Sequence, residues 1–243
     1  MILAILQARM SSSRLSGKVM KPILERPMMG LQLERIWRAR TLDQVVVATS
    51  TDPSDDVIAE FCRGQDVAFF RGSLNNVLRR FLGAAYAYGP PEHVVRLTAD
   101  CPLADWTVID DCVRLHVDGG YDFTSNAMYR TFPDGLDVEV LTMATLERIA
   151  EGANTPKQEE HVTQFVYDFP EKFSCGHLLQ DCDQSQRRWT VDDASDFALA
   201  KAVYTDLYPA NPAFTTKDII AWQDTHPNHL FCSPPVEDPP MAK

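Results

Sequence analysis

The chain has 243 residues, 45% of them hydrophobic, and 34 acidic against 23 basic side chains for a formal net charge of -11. That length and apolar content suit a globular fold with a substantial core. The acidic balance argues against nucleic acid as a partner, which calls for a broadly basic face. The opening apolar run of about six residues is too short for a secretory h-region or a membrane span, so no membrane partner is expected. Six cysteines (Cys62, Cys101, Cys112, Cys175, Cys182 and Cys232) are scattered without a C-x-x-C pair. They read as reduced thiols of a cytoplasmic protein, and no Cys/His cluster has zinc-ligand spacing.

Strand and helix signals alternate along the first half. Ile2–Leu6 predicts a buried strand that empties into Arg9, Ser11, Ser12, Ser13, Arg14, Gly17 and Lys18. A helix is predicted from about Pro27 to Arg40, with Leu33, Ile36 and Trp37 on its apolar side; Pro27 fits a first helical turn. Val45–Ala48 is an unbroken apolar run, suited to a strand covered on both faces. The turn Thr51–Ser54 opens a helix carrying Val57, Ile58 and Phe61. Val67–Phe70 is a third strand, Asn75–Tyr88 a helix, His93–Leu97 a fourth strand and about Asp105–His116 a helix. This alternation predicts a three-layer αβα fold with a mostly parallel, Rossmann-like sheet. Right-handed crossovers then bring the loops after the first and fourth strands to one sheet edge, where ligands bind in open α/β sheets.

The second half is less regular. Tyr121–Asn126, Leu136–Leu141 and Phe173–Leu179 predict strands; about Met143–Glu151 and Pro156–Asp168 predict helices. Arg188–Val191 reads as a short strand leading into an apolar-striped helix that ends near Tyr208, and Thr215–Asp224 as a last helix. One domain over residues 1–225 is expected, with a small insertion near 120–145 and a Pro-rich tail from His226 onward.

Three stretches carry chemistry. The first loop lacks both G-x-G-x-x-G and G-x-x-x-x-G-K-[ST], against a dinucleotide or P-loop site. Arg9, Arg14 and Lys18 instead supply forked and point contacts suited to a triphosphate. The second is Arg96-Leu97-Thr98-Ala99-Asp100-Cys101-Pro102, where Asp100 at a strand tip is placed for Mg²⁺. Capping the next helix is the plainer role for that carboxylate, and Asp105 suits it better. The third is Trp189-Thr190-Val191-Asp192-Asp193-Ala194-Ser195-Asp196. Here Asp193 or Ser195 caps a helix, and Asp192 completes a two-carboxylate metal site if it faces Asp100.

The motifs ILAILQARMSSSRLSGKVMKPI, RLTADCPL, PDGLDVEV, EEHVT and WTVDDASDFALA, in this order over residues 2 to about 220, strongly resemble the cytidylyltransferase family of spore coat polysaccharide biosynthesis. That family is related to the enzymes making CMP-sialic acid and CMP-Kdo. The resemblance implies a nucleotide-diphospho-sugar transferase fold, with CTP and Mg²⁺ used to move CMP onto an acidic sugar and release pyrophosphate, in surface polysaccharide synthesis. By matching motif, Arg9, Arg14 and Lys18 would grip the triphosphate with the Ser11–Ser13 amides, and Asp100 and Asp192 would hold Mg²⁺. Glu139 and His161 would touch the acceptor, His161 being equally readable as a structural histidine of its helix. A homodimer is expected by analogy. Ser16 stands where the family has Pro, Ala99 where Gly is common, and Asn76 where Asp is usual. Ala99 must therefore avoid positive φ. A phosphonate acceptor or another NTP fits the same residues. A metal-dependent glycosyltransferase is the other enzyme class, and the absence of D-x-D at Asp100 counts against it.

Overall fold

The computed structural model describes residues 1–229; Cys232 and most of the Pro-rich tail lie outside the described residues. A seven-stranded sheet has the order β5-β4-β1-β6-β8-β7-β9. Its strands are β1 (Ile2–Gln7), β4 (Gln44–Ser50), β5 (Phe69–Gly72), β6 (His93–Thr98), β7 (Phe123–Ser125), β8 (Glu139–Thr142) and β9 (Cys175–His177). A small hairpin of β2 (Pro22–Ile23) and β3 (Arg26–Pro27) stands apart from it.

β1 pairs in parallel with β4 on one side and β6 on the other, and β5 extends β4 in parallel. After β1 the chain therefore builds outward through β4 and β5. It then returns over α3 (Val77–Ala87) to lay β6 against the opposite flank of β1. That reversal of strand order opens a crevice at the carboxyl ends of β1 and β6, the place where such sheets bind ligands. β8 runs antiparallel to both β6 and β7, and β9 is parallel to β7. The 120–145 stretch, expected as an insertion, thus supplies two strands of the main sheet.

Alternation along the strands divides the core into two faces, as a period of two requires. Ala4, Leu6, Val45, Val47, Val95 and Leu97 pack on one face. This side carries α1 (Met28–Ile36), α4 (Trp106–Gly119), α8 (Ala194–Leu207) and α9 (Thr216–Thr225). Leu3, Ile5, Val46, Ala48 and Val94 pack on the other face, against α3, α5 (Met143–Gly152) and α7 (Gln164–Asp168). α2 (Asp56–Gly64) packs Ile58 and Cys62 into the first of these clusters.

Several boundaries differ from expectation. The first helix stops at Ile36; Trp37 is its C-cap residue, off the apolar stripe and 52% exposed. The predicted helix over Pro156–Asp168 is two short ones, α6 (Pro156–Glu160) and α7, broken at His161. Arg188–Val191 forms no strand, only an isolated parallel bridge from Arg188 to Asp134. Cap chemistry was legible: Asp105 caps α4, and Asp193 with Asp196 makes a capping box on α8. The five cysteines in the described residues are free. No helix of the described residues is long and apolar enough to cross a membrane.

Candidate active site

A cleft of about 300 Å³ opens at the strand-order reversal, lined by the ends of β1 and β6, the loop after β1, and residues Glu160, His161 and Asp192. The loop after β1 is held by few bonds. Met10 donates its N–H to the buried Asp55 carboxylate at 2.7 Å, and Asp55 is itself fixed by the Ser50 hydroxyl at 2.5 Å. The Met10 carbonyl accepts from both Ser12 and Gly17 at 2.9 Å. Gly17 sits at φ +68, where an L side chain is strained, and so turns the chain into a short 3-10 turn that begins at Lys18.

That turn delivers Lys18 into the interior, 8% exposed. Its ammonium donates to the Val191 carbonyl at 2.6 Å, to Asp192 Oδ1 at 3.1 Å and to Asp100 Oδ2 at 3.4 Å, which uses all three of its protons. Asp100 and Asp192 therefore do meet, around one buried cation. Arg14 adds a 2.9 Å contact to Asp192 Oδ2. Burial works to raise the Asp192 carboxyl, but the hydrogen bond from Arg188 and the charges of Lys18 and Arg14 outweigh it and hold it below its ordinary range.

The segment carrying Asp192 is locked to the PDGLD stretch. The Asp134 carbonyl accepts from Trp189 N at 2.6 Å and Thr190 N at 3.0 Å. Gly135 lies at φ +110, and a Cβ there would come within 2.4 Å of the Thr190 nitrogen. Charge reinforces the lock. Arg188 reaches Asp134 at 3.0 Å, Asp192 at 2.8 Å and Asp196 at 3.2 Å, while Arg130 grips Asp137 through both guanidinium nitrogens at 2.5 and 2.8 Å. The Val191 N–H closes onto the Asp100 carbonyl at 2.7 Å, tying this segment to the second loop.

The remaining sequence candidates are distributed unevenly. Ser12, Ser13, Arg9, Arg14 and His161 line the cleft, and Ser11 does not. The Ser12 N–H is spent on Met10, whereas those of Ser13 and Arg14 take no partner among the described residues and remain available to an anion. Arg9 pairs with Glu160 at 3.2 Å. His161 owes its place on the wall to the helix break that periodicity did not reveal. Glu139, expected on the acceptor side, is engaged within the fold. It is 3% exposed, pairs with Arg96 across directly opposed strand positions at 2.5 Å, and accepts from Thr163 and Tyr167. Glu139 is outside the cleft lining; its partner Arg96 is on it.

Sequence reasoning also missed Asp55, Arg80, Arg96 and Arg188. A charge in the middle of the apolar run His93–Leu97 was the signal available for Arg96, and a charge between Leu78 and Phe81 in the apolar register of its helix was the signal for Arg80; Asp55 and Arg188 carried none. The backbone accommodates the departures at Ala99 and Asn76 locally. Positive φ among non-glycine residues occurs at Leu24, Glu25 and Asp66, not Ala99. Asn76 caps α3 by accepting from the Arg79 N–H at 2.8 Å, a bond aspartate makes equally well.

As ligands for a divalent ion, Asp100 and Asp192 are hard oxygen donors beside a cation-lined cleft. One or two carboxylates completed by phosphate oxygens and water is the set Mg²⁺ takes. Among the described residues Asp100 gives only Oδ2 to a nitrogen donor and so fits such an ion through Oδ1, whereas both Asp192 oxygens already accept, Oδ1 from Lys18 and Oδ2 from Arg14 and Arg188.

Comparison with known proteins agrees with this geometry. The profile of the family described as Cytidylyltransferase matches residues 3–206. The spore coat polysaccharide biosynthesis protein SpsF of Bacillus subtilis is 32% identical over 84% of this chain and 86% of its own length. A cytidylyltransferase structure from Leptospira borgpetersenii superposes with a TM-score of 0.90 at 31% identity, covering 97% of this chain and 99% of that one. A CMP:2-keto-3-deoxy-manno-octonic acid synthetase structure, complexed with CTP, has a TM-score of 0.62 at 13% identity over 84% of this chain and 98% of its own, a likeness of fold. With a sheet, a cleft and sequence motifs of this kind, the chain belongs to the cytidylyltransferase family.

Proposed function

We propose that the protein transfers CMP from CTP to the oxygen of an acidic sugar or related acceptor and releases pyrophosphate. The observation that carries this reading is the Lys18 ammonium held between Asp100 and Asp192 at the mouth of a cation-rich loop. The family and the CTP-bound structural relative support cytosine nucleotide as the donor.

In this reading the triphosphate lies along the loop after β1. Arg9 and Arg14 reach its oxygens, and the N–H groups of Ser13 and Arg14 add fixed donors. Lys18 orients the two carboxylates and neutralises charge that grows on the departing pyrophosphate. An acceptor hydroxyl oxygen attacks the α-phosphorus and its proton passes to water; the bond to the bridging oxygen breaks and its electron pair leaves on pyrophosphate. Positioning and electrostatics supply most of the catalysis in such transfers. Asp100 and Asp192 would hold Mg²⁺, which when bound polarises phosphate oxygens. His161 faces the acceptor side of the cleft in this scheme.

The test is a pyrophosphate-release assay of the four common NTPs against acidic sugars and phosphonates. Release with CTP and one acceptor class is expected. Release of nucleoside diphosphate from a sugar nucleotide instead would make the protein a glycosyltransferase and overturn the proposal.

A further inference from the structure

Among the described residues, five cations line the cleft: Arg9, Arg14, Lys18, Arg80 and Arg96. Four have a carboxylate in contact. Arg9 has Glu160, Arg14 has Asp192, Lys18 has Asp100 and Asp192, and Arg96 has Glu139. Arg80 has none among the described residues, although it is the most buried of the arginines, at 1% exposure.

The environment of Arg80 is one-sided. It projects from the first turns of α3, and its Nη1 donates to the carbonyl of Ser73, with a further contact to Leu74 O at 3.3 Å. Those are the only hydrogen bonds of its guanidinium among the described residues. Nε is buried without a partner, which leaves the Nε–Nη2 edge, the forked edge that meets an oxyanion through two parallel bonds, unspent. Burial lowers the Arg80 guanidinium to about 10; the nearby Asp55 opposes that shift and Arg9 adds to it. Asp55 does not relieve the charge by contact, because its oxygens are taken by Met10 and Ser50. A buried cation without a counter-charge is costly to a fold, and a ligand anion is the means of relieving it at a cleft wall.

We propose that Arg80 forms an oxyanion subsite of the cleft, its free guanidinium edge taking a phosphate or carboxylate oxygen of the bound ligand. The assignment deepens the reading of the cleft as the nucleotidyl-transfer site and rests on it. Both candidate sources present the same chemistry, a pair of anionic oxygens. They differ in whether the group belongs to the nucleotide or to the acceptor.

The experiment is calorimetric titration of the wild type, Arg80→Gln and Arg80→Lys with CTP, cytidine, inorganic tripolyphosphate and 3-deoxy-manno-octulosonate. If the nucleotide supplies the oxyanion, Arg80→Gln raises the Kd for CTP and tripolyphosphate about 10- to 100-fold and leaves cytidine unchanged. If the acceptor supplies it, the same factor falls on 3-deoxy-manno-octulosonate, with tripolyphosphate unchanged. Arg80→Lys keeps the charge without the fork and weakens binding by a smaller factor; it carries the test if the glutamine variant does not fold. Probes that bind both variants within twofold of the wild type, or a wild type that binds none of them, overturn the subsite. Tripolyphosphate binding is read without turnover, so failure of CTP transfer would sink the proposed reaction and leave this subsite standing.

Discussion

The two loops that build the cleft are held in opposite ways. The loop after β1 hangs on a few backbone bonds, Gly17 and the buried Asp55, and keeps peptide N–H groups in hand. The segment 188–196 is fastened by a lattice of full charges: Arg188 against three aspartates, with Arg130 gripping Asp137 of the PDGLD stretch. An anion-binding loop needs unspent donors, so it cannot satisfy itself. A carboxylate poised beside a lysine needs a fixed position, so its surroundings are over-determined. Substitutions in the two regions should therefore fail differently.

The largest effect is expected at the junction of the two. Asp100→Asn should lower pyrophosphate release by at least ~10³-fold while the melting temperature stays within a few degrees, since this carboxylate is partly exposed. Full activity in that variant would remove Asp100 from the chemistry. Next comes the charged lattice. Gly135→Ala places a Cβ against the Thr190 backbone and should cost about 2–4 kcal/mol in urea denaturation. Unchanged stability would show that the PDGLD stretch can move away from 189–190. Arg188→Met leaves Asp134, Asp192 and Asp196 without their shared cation. A loss of about 2–3 kcal/mol is expected, discounted from a fully buried pair because Arg188 retains some exposure.

The same lattice predicts a pH dependence. Asp192 is held below its ordinary value of 3.8 by Arg188, Lys18 and Arg14, against the opposing effect of burial. Its stabilising contribution is present in full above that unfolded value and is lost as pH falls through the lower folded one. Acid titration of stability in Arg188→Met should show a smaller loss that is complete at a higher pH than in the wild type, because the folded value moves back toward the unfolded one; coincident curves would count against Arg188 as the controlling charge. The smallest effect belongs to Asn76→Asp, which preserves the α3 cap and should shift stability by no more than ~0.5 kcal/mol in thermal melting.

Much of the frame was legible in the order of residues. Apolar runs and alternation located the strands, Asp105 and Asp193 announced their helices, and the cationic loop stood out by what followed the first strand. The site was legible in its parts. Lys18, Arg14, Asp100 and Asp192 were named from chemistry and resemblance, and all four line the cleft. The pairing of Glu139 with Arg96 was not legible, because strand alternation says which residues share a face, not whether an ion pair from the next strand has consumed the charge. His161 was read within a continuous helix, since a break of a few residues barely disturbs a period of 3.6.

Local physics explains the division. Periodicity, caps and turn residues act over a few positions, so the sequence by itself determined a mostly parallel αβα sheet and the carboxyl-edge loops that carry cations and carboxylates. The meeting of Lys18 with Asp100 and Asp192 joins residues 82 and 174 positions apart, and strand order and the Asp134–Thr190 lock bring them together. The isolation of Arg80 is likewise tertiary. A charge is paired or left unpaired by neighbours that arrive from distant segments, and only the folded chain decides which ones arrive.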